Sequence, residues 1–172
     1  VHTLGKHHAS YYPQATDILL KLLFDPKTGE ILGAQAVGEN GVDKRIDVLA
    51  TAIKAGLTVE DLPELELTYA PPFGSAKDPV NMIGYAALNL MEGLSENVQW
   101  YDLANELKNG AKILDVRNPA ELANGKFTNA LSIPLDELRA RLVELDKNQA
   151  YIVSCHSGQR SYLAERILKQ HG

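Results

Sequence analysis

Apolar and polar residues alternate in short runs near the start of the chain, and this pattern predicts β-structure. Two apolar, β-leaning runs lie within residues 17–38, on either side of a turn segment that has proline and glycine at opposite ends. This combination favours a β-hairpin. A further strand is predicted upstream of the hairpin, over "VHTLGKHH".

The next apolar pattern has helical spacing. From Asp43 onward, apolar residues recur at i, i+3, i+4 and i+7, which predicts an amphipathic helix that packs on the sheet and ends near Gly56. A second helix is predicted after Asp78, which can cap it, and Pro79, which suits the first helical position. The apolar stripe of the first helix consists of Ile46, Leu49, Ala50 and Ile53.

Beyond residue 97 the pattern changes to short apolar strands that alternate with helices. Such alternation predicts a parallel sheet with helices on its faces. Strands are predicted over "AKILDVR", "NALSIP" and "AYIVSC", and helices over "LDELRARLVEL" and from Ser161 onward. We therefore expect an α+β domain with an antiparallel sheet over residues 1–93, a linker over 94–97 and an α/β domain over 98–172.

Composition and charge exclude several classes of partner. The 172 residues are 45% hydrophobic and 23% charged, with a net charge of −5 and no cluster of lysine and arginine. We therefore expect no nucleic acid partner. No apolar run approaches the roughly 20 residues that span a bilayer, and the start lacks a signal-peptide pattern, so we expect a cytoplasmic protein without a membrane partner. Adjacent His7 and His8 would point to opposite faces of a strand, so we expect no metal site.

The single cysteine, Cys155, stands where an apolar run stops, and it cannot form an intrachain disulfide. Ligands gather at the carboxyl ends of strands in open α/β sheets, which is where this residue falls. Residues 155–160 connect a predicted strand to a helix, so their N–H groups can point at the sulfur and favour the nucleophilic thiolate. Gly158 can adopt the positive φ that such a loop needs, and Arg160 can add a positive charge. A loop thiol without chemical consequence is the alternative interpretation.

The spacing around Cys155 resembles the active-site loop of the rhodanese-type sulfurtransferases. Four residues separate Cys155 from Arg160, whereas five separate the two in cysteine-dependent phosphatases. The segment "ILDVRNPAELANGKFTNALSIPLDEL" is also similar to the rhodanese pattern of Asp-x-Arg, Pro-x-Glu, glycine and Ala-x-x-Ile-Pro. Rhodanese domains usually continue into a further strand and helix, so we expect this one to be incomplete at its C-terminus and to lack its last strand.

This resemblance implies roles for the loop residues and for two residues of the neighbouring strand. Cys155 would take up a sulfane sulfur as a persulfide, and Arg160 would help the loop amides to hold the charge. Asp115 and Arg117 would brace the loop, although a plain surface ion pair is the alternative. His156 would either assist the thiolate as a cation or face solvent. The predicted sulfur-binding or anion-binding loop comprises His156, Ser157, Gly158, Gln159 and Ser161.

The first domain resembles the dimerisation domain of the flavin-dependent pyridine nucleotide-disulfide reductases, and within them the coenzyme A-disulfide reductases fused to a rhodanese domain. The segments that carry this resemblance are "HHASYYPQAT", "DPKTGEILGAQAVGENGVDKRIDVLATAIKAGLTVEDL" and "TYAPPFGSAKDPVNMIGY". It implies a homodimer in which Tyr11 and Tyr69 reach coenzyme A and the reacting sulfur of the partner subunit. Tyr12 matches the motif as well as Tyr11 does, and interface aromatics are the alternative for all three tyrosines.

The resemblance also implies FAD, NAD(P)H and coenzyme A in a longer protein, whose FAD- and NAD-binding domains are the remaining partners of this chain. The chain has no G-x-G-x-x-G motif after a strand, so we expect none of these cofactors to be bound by it alone. The expected function is a portion of a reductase of coenzyme A disulfide, coenzyme A persulfide or polysulfide, to which Cys155 brings sulfur from small sulfane-sulfur molecules. A dimerisation scaffold with a non-catalytic rhodanese domain is the alternative, and a phosphatase is a weaker one because of the loop length.

Overall fold

The computed structural model describes residues 1–172, and the chain divides into two compact units, Val1–Leu94 and Ser95–Gly172. The predicted linker over residues 94–97 lies at this division. The first unit has an antiparallel sheet with helices, and the second has a parallel sheet with helices, as the sequence predicts. None of the helices combines the length and the apolar character that crossing a bilayer requires.

Three antiparallel strands form the sheet of the first unit, in the order β1-β2-β3. Their side chains alternate between the two faces of the sheet, as strand geometry requires. On β2, Ile18, Leu20 and Leu22 are buried in the core, whereas Leu19 and Leu23 are exposed. The predicted hairpin is β2 and β3. The strands span His2–Lys6 (β1), Asp17–Phe24 (β2) and Ile31–Gly38 (β3).

Two helices, Val42–Ala55 (α1) and Pro79–Met91 (α2), belong to this unit, with a 3₁₀ turn at Leu62–Glu64 between them. Asp78 caps α2 as predicted, because its carboxylate accepts a hydrogen bond from the Val80 N–H at 3.0 Å. Pro79 occupies the first turn, where its missing N–H costs nothing.

The predicted buried stripe of α1 is wrong in its orientation. Leu49 is buried, but Ala50 and Ile53 are exposed, and the other buried side chains are Arg45 and Ala52. A helical arginine can replace an apolar residue in a core only if its charge and hydrogen bonds are satisfied. Arg45 meets this condition because it pairs with Asp78, the residue that caps α2. The spacing of apolar residues along α1 cannot predict such a pair.

The sheet of the second unit contains three parallel strands in the order β5-β4-β6, so β4 is central. Its core contains Leu114, Val116, Ile133, Leu138 and Ala164, with Ile167 at its edge. The strands span Lys112–Asp115 (β4), Leu131–Ser132 (β5) and Tyr151–Ser154 (β6). The helices span Leu103–Lys108 (α3), Pro119–Leu122 (α4), Leu135–Leu138 (α5) and Gln159–His171 (α6).

The single helix predicted over "LDELRARLVEL" is wrong, because the structure divides this segment into α5 and a 3₁₀ turn at Leu142–Glu144. Leu142 and Leu145 both pack against the core. In a 3₁₀ turn, residues three apart lie on the same side, so this turn suits two leucines with that spacing. The last helix begins at Gln159, two residues before the predicted start at Ser161.

Candidate functional site

Cys155 follows β6 directly, at the carboxyl edge of the parallel sheet. Its neighbour Ser154 pairs with Asp115, the last residue of the central strand β4. The Cys155 side chain is only partly buried, and it packs against the edge of the core. The position combines a fixed strand end with access from solvent, which is where open α/β sheets place their chemistry.

Main-chain N–H groups surround the sulfur of Cys155. The N–H of Gly158 donates to Sγ at 3.1 Å, and the N–H of Ser161 donates to it at 3.3 Å. The Ser161 hydroxyl accepts from the thiol at 3.5 Å while it donates to the Gly158 carbonyl at 2.8 Å, and its proton can turn to the sulfur once the thiolate forms. Gly158 has φ of 100°, so the predicted positive φ is confirmed. We name this set of donors the sulfur cradle.

The sulfur cradle favours the thiolate form of Cys155. Burial raises the pKa of the thiol, but the hydrogen bonds from the Ser161 side chain and from the N–H groups of Ser161, Gly158 and Ser157 outweigh burial and lower this pKa below its ordinary value. The N-terminus of α6 adds positive potential in the same place. The arrangement therefore supplies a nucleophilic sulfur and a place for negative charge.

We expect Ser161→Ala to shift the ionisation of Cys155 to higher pH, because the variant loses the hydroxyl that lowers the thiol pKa. The measurement is the rate of Cys155 alkylation by iodoacetamide as a function of pH. The rate rises with pH as thiolate forms, so the midpoint of the Ser161→Ala profile should lie above that of the unmodified chain. Ser157→Ala is the matched control, since it keeps the donating N–H. Coinciding Ser161→Ala and unmodified profiles would show that the hydroxyl has no such role.

Arg160 forms an ion pair with a carboxylate that was not predicted from the sequence. Its two terminal nitrogens, Nη1 and Nη2, donate to the two carboxylate oxygens of Glu121 on α4, each at 2.6 Å. This fork geometry is the strongest form of an arginine–carboxylate pair. The only available sequence clue was the Pro-x-Glu element, whose glutamate is Glu121. The predicted role of Arg160 in holding sulfur charge stays a prediction.

Asp115 and Arg117 form an ion pair at the end of β4. The carboxylate of Asp115 is fully buried and accepts from the Arg117 guanidinium at 2.7, 2.9 and 3.1 Å. Burial raises the pKa of Asp115, but its hydrogen bonds with Arg117 lower the pKa overall. Because Asp115 is buried, the alternative of a plain surface pair is wrong. Arg117 also donates to the Gly125 carbonyl at 3.0 Å, so the pair holds the segment that follows α4.

The remaining loop side chains point outward. His156, Ser157 and Gln159 are exposed, and Ser157 acts on the sulfur through its N–H group. The structure thus places His156 in solvent, which was one of its two predicted positions. Ser161 contributes both its N–H and its hydroxyl to the sulfur cradle.

In the first unit, the structure brings Tyr11 and Tyr69 together although 58 positions separate them in the sequence. Their hydroxyl oxygens lie 3.1 Å apart, and both side chains are exposed. The hydrogen bond with Tyr69 raises the pKa of Tyr11. Tyr12 instead packs edge-on against the His8 ring at 5.5 Å. The hydroxyl pairing favours Tyr11 over Tyr12 as the partner of Tyr69.

Arg45 forms hydrogen bonds with both segments that carry these tyrosines, the one before Tyr11 and the one after Tyr69. Its Nη2 donates to Asp78 at 2.7 Å and to the His7 carbonyl at 2.7 Å, and its Nε donates to Asp78 at 3.2 Å. Its Nη1 donates to the Gly41 carbonyl at 3.1 Å. The N–H of Ala9 adds a main-chain bond to the Pro71 carbonyl at 3.2 Å. All three guanidinium nitrogens of this buried arginine therefore donate hydrogen bonds.

The expected geometry of His7 and His8 is wrong. Both residues follow β1 rather than lying in it, so they do not alternate across a strand, and their ring centroids are 3.9 Å apart. His7 Nδ1 accepts from the Thr16 N–H at 3.0 Å, and His8 Nδ1 lies 3.1 Å from the Ala9 carbonyl. Both imidazole rings therefore contact main-chain atoms of nearby residues.

Two family models match the chain in sequence. The dimerisation domain of the pyridine nucleotide-disulphide oxidoreductases matches residues 2–79, and the rhodanese-like domain matches residues 99–172. The chain thus contains a dimerisation domain of the pyridine nucleotide-disulphide oxidoreductase type followed by a rhodanese-like domain.

Individual relatives make this assignment more specific. The coenzyme A disulfide reductase of Staphylococcus haemolyticus is 52% identical over 83 residues, which are 48% of this chain and 19% of that protein. The structure of reduced CoADR-RHD from Bacillus anthracis is 52% identical with a TM-score of 0.98, and it matches 100% of this chain and 31% of its own. The NAD-dependent persulfide reductase of A. fulgidus is 43% identical with a TM-score of 0.89, over the same shares.

The chain is therefore homologous to the C-terminal, rhodanese-bearing region of the coenzyme A disulfide reductases and persulfide reductases. Both resemblances predicted from the sequence are confirmed. The chain spans less than a third of the two solved structures and about a fifth of the Staphylococcus haemolyticus protein.

Proposed function

We propose that this chain is the C-terminal portion of a homodimeric reductase of coenzyme A disulfide, coenzyme A persulfide or polysulfide, in which Cys155 carries sulfane sulfur to the reductase site. The observation that supports this most directly is the sulfur cradle, which favours a thiolate at an accessible strand end. Its place in a rhodanese-like domain behind a dimerisation domain connects sulfur chemistry with a dimeric reductase.

Family membership implies FAD and NAD(P)H in the full-length protein. The residues of this chain do not fit either dinucleotide, because no glycine-rich phosphate loop follows any of its strands. The other domains of the protein would bind both cofactors, together with part of coenzyme A. What this chain contributes is the sulfur-carrying thiolate and a pair of phenols.

Sulfur uptake proceeds by attack of the Cys155 thiolate on the outer sulfur of a donor. A new S–S bond forms on Cys155, the bond between the two donor atoms breaks, and its electron pair leaves with the donor as a thiolate or as sulfite. No external oxidant or reductant is needed. The N–H groups of Gly158 and Ser161 then stabilise the terminal negative charge of the persulfide.

Tyr11 and Tyr69 would act at the reductase site of the partner subunit. Their exposed, hydrogen-bonded hydroxyls form a single polar unit on the surface of the first unit. A phenol can donate a hydrogen bond to a developing thiolate, and its ring can cover that thiolate from water. Arg45 and Asp78 act as positioning residues, since they fix the segments before Tyr11 and after Tyr69.

The test uses the full-length protein with its flavin and compares two substrates. With coenzyme A persulfide, we expect Cys155→Ser to lose most NAD(P)H oxidation, because sulfur no longer reaches the reductase site through the carrier. With coenzyme A disulfide, the same variant should retain the unmodified rate, since this substrate carries no sulfane sulfur. The second substrate is therefore the control for folding and flavin content.

Equal rates of Cys155→Ser and the unmodified protein with both substrates would reject the carrier role and favour the scaffold alternative. A phosphatase is disfavoured by the geometry, because Glu121 occupies the arginine that would bind a phosphoryl group. Activity on an aryl phosphate would be required to reopen that alternative.

A further inference from the structure

The ion pair between Arg160 and Glu121 changes the charge that a sulfur donor meets near Cys155. Arg160 lies in the first turn of α6, five residues after Cys155, where its positive charge would attract anions. Both terminal nitrogens are instead bound to Glu121 at 2.6 Å. A bidentate carboxylate at this distance cancels most of the field of the guanidinium.

The second arginine of this sheet edge is compensated in the same way. Arg117 is bound to the buried carboxylate of Asp115, and its Nη2 also donates to the Gly125 carbonyl. The positive potential that remains at the sulfur comes from the amide N–H groups and the N-terminus of α6. A helix N-terminus supplies the equivalent of only about half a charge.

We propose that Glu121 is a specificity-determining residue of the Cys155 site, which neutralises Arg160 and thereby disfavours dianionic donors such as thiosulfate relative to thiol persulfides. This inference rests on the proposed function, since it presupposes that Cys155 takes up sulfur. It concerns which donors are accepted, and the carrier role does not depend on it.

The charge of the departing group is the physical basis of this selectivity. In thiosulfate, the Cys155 thiolate attacks the outer sulfur, the bond to the inner sulfur breaks, and sulfite leaves as a dianion. In the persulfide of a neutral thiol, the same attack releases a thiolate with one charge. A free guanidinium would bind the sulfonate group of thiosulfate, whereas the persulfide has no such group to bind.

The pair is accessible to a donor and persists over the working pH range. The side chains of Arg160 and Glu121 are 30% and 35% exposed, so solvent and small anions reach them. Hydrogen bonds from Arg160 and from the Asn118 N–H lower the pKa of Glu121 to about 2, which keeps the carboxylate ionised. Arg160 follows the loop directly, in the first turn of α6, and the charge of Cys155 raises its pKa after the larger contributions of Glu121.

Glu121→Gln tests the inference with little change in shape. The amide oxygen can still accept from the Asn118 N–H, while the negative charge is lost. The measurement is the initial rate of sulfur addition to Cys155, followed by intact mass of the 172-residue chain with thiosulfate or with the persulfide of 2-mercaptoethanol. We expect the ratio of the thiosulfate rate to the persulfide rate to rise about three- to tenfold, the range typical of one partly screened charge.

Glu144→Gln is the matched control. Glu144 pairs with Arg141 at 2.6 Å in the same unit and is similarly exposed, but its arginine lies outside the loop of Cys155 and outside α6. This variant should leave the donor ratio unchanged. Glu121→Asp provides a second variant, whose shorter carboxylate reaches the guanidinium less well and should give an intermediate ratio.

The outcomes separate this inference from the proposed function. If Glu121→Gln or Glu121→Asp is folded by far-UV circular dichroism and the donor ratio stays at the unmodified value, Glu121 does not determine specificity and the inference is overturned. If the folded, unmodified chain gains sulfur from neither donor, the proposed function itself is rejected, and the inference with it.

Discussion

The Cys155→Ser variant will gain no sulfur when it is incubated with polysulfide, whereas the unmodified chain will gain the mass of one sulfur atom. The reason is chemical, because a serine hydroxyl stays protonated at neutral pH and cannot form the S–S bond on which uptake depends. Intact-mass spectrometry measures both results directly. Cys155 is the only cysteine of the chain, so a mass gain of this size has a single thiol to which it can be assigned.

Two controls make this result specific. Pretreatment of the unmodified chain with iodoacetamide should block the gain, since alkylation removes the thiolate. Ser157→Ala should load normally, because it keeps the N–H that faces the sulfur and changes only an exposed side chain. Sulfur uptake by folded Cys155→Ser would show that the gain is adventitious and would contradict a carrier role for Cys155.

Arg45→Met will destabilise the first unit by about 3–5 kcal/mol, the usual cost of removing one partner from a buried ion pair. The variant leaves the carboxylate of Asp78 buried without its cation and the carbonyl of His7 without its donor. The measurement is urea unfolding followed by far-UV circular dichroism. The only tryptophan, Trp100, lies in the second unit and is 84% exposed, so circular dichroism rather than fluorescence follows the unfolding.

A solvent-exposed pair of equal length provides the comparison for Arg45→Met. Lys6 at the end of β1 and Asp17 at the start of β2 lie 2.7 Å apart, and Lys6→Met should cost about 0–1 kcal/mol. Adding Asp78→Asn to Arg45→Met should restore part of the lost stability, because asparagine still caps α2 and no longer carries an uncompensated charge. A cost for Arg45→Met no larger than that for Lys6→Met would show that burial of this pair has no energetic importance.

Features of the fold that depend on neighbouring residues could be predicted from the sequence. The turn between β2 and β3 and the start of α2 depend on proline, glycine and capping residues within a few positions. The buried face of α1 could not be predicted, since the burial of Arg45 depends on Asp78, which is 33 positions away. The break after α5 arises from packing of Leu142 and Leu145 on the core, which local helix propensity does not contain.

The candidate site likewise contains residues that the local sequence predicts and residues that it does not. Cys155, Gly158 and the inward-pointing amides follow from the local connection between a strand and a helix, and the structure contains that connection. Glu121 joins Arg160 across 39 positions and was not assigned to the site from the sequence. The contact between Tyr11 and Tyr69 also had no local pattern, and the resemblance to the reductase family was the only route to both residues.

The construction of the sulfur cradle has a consequence for evolution. Most of its donors are main-chain N–H groups, which every residue except proline provides, so most single substitutions cannot remove them. The residue type matters at two positions only. Gly158 is needed for its backbone conformation, and Ser161 is needed for its hydroxyl. His156, Ser157 and Gln159 are exposed and free to diverge, so related proteins can acquire new partners at this loop while the chemistry of the thiolate is inherited unchanged.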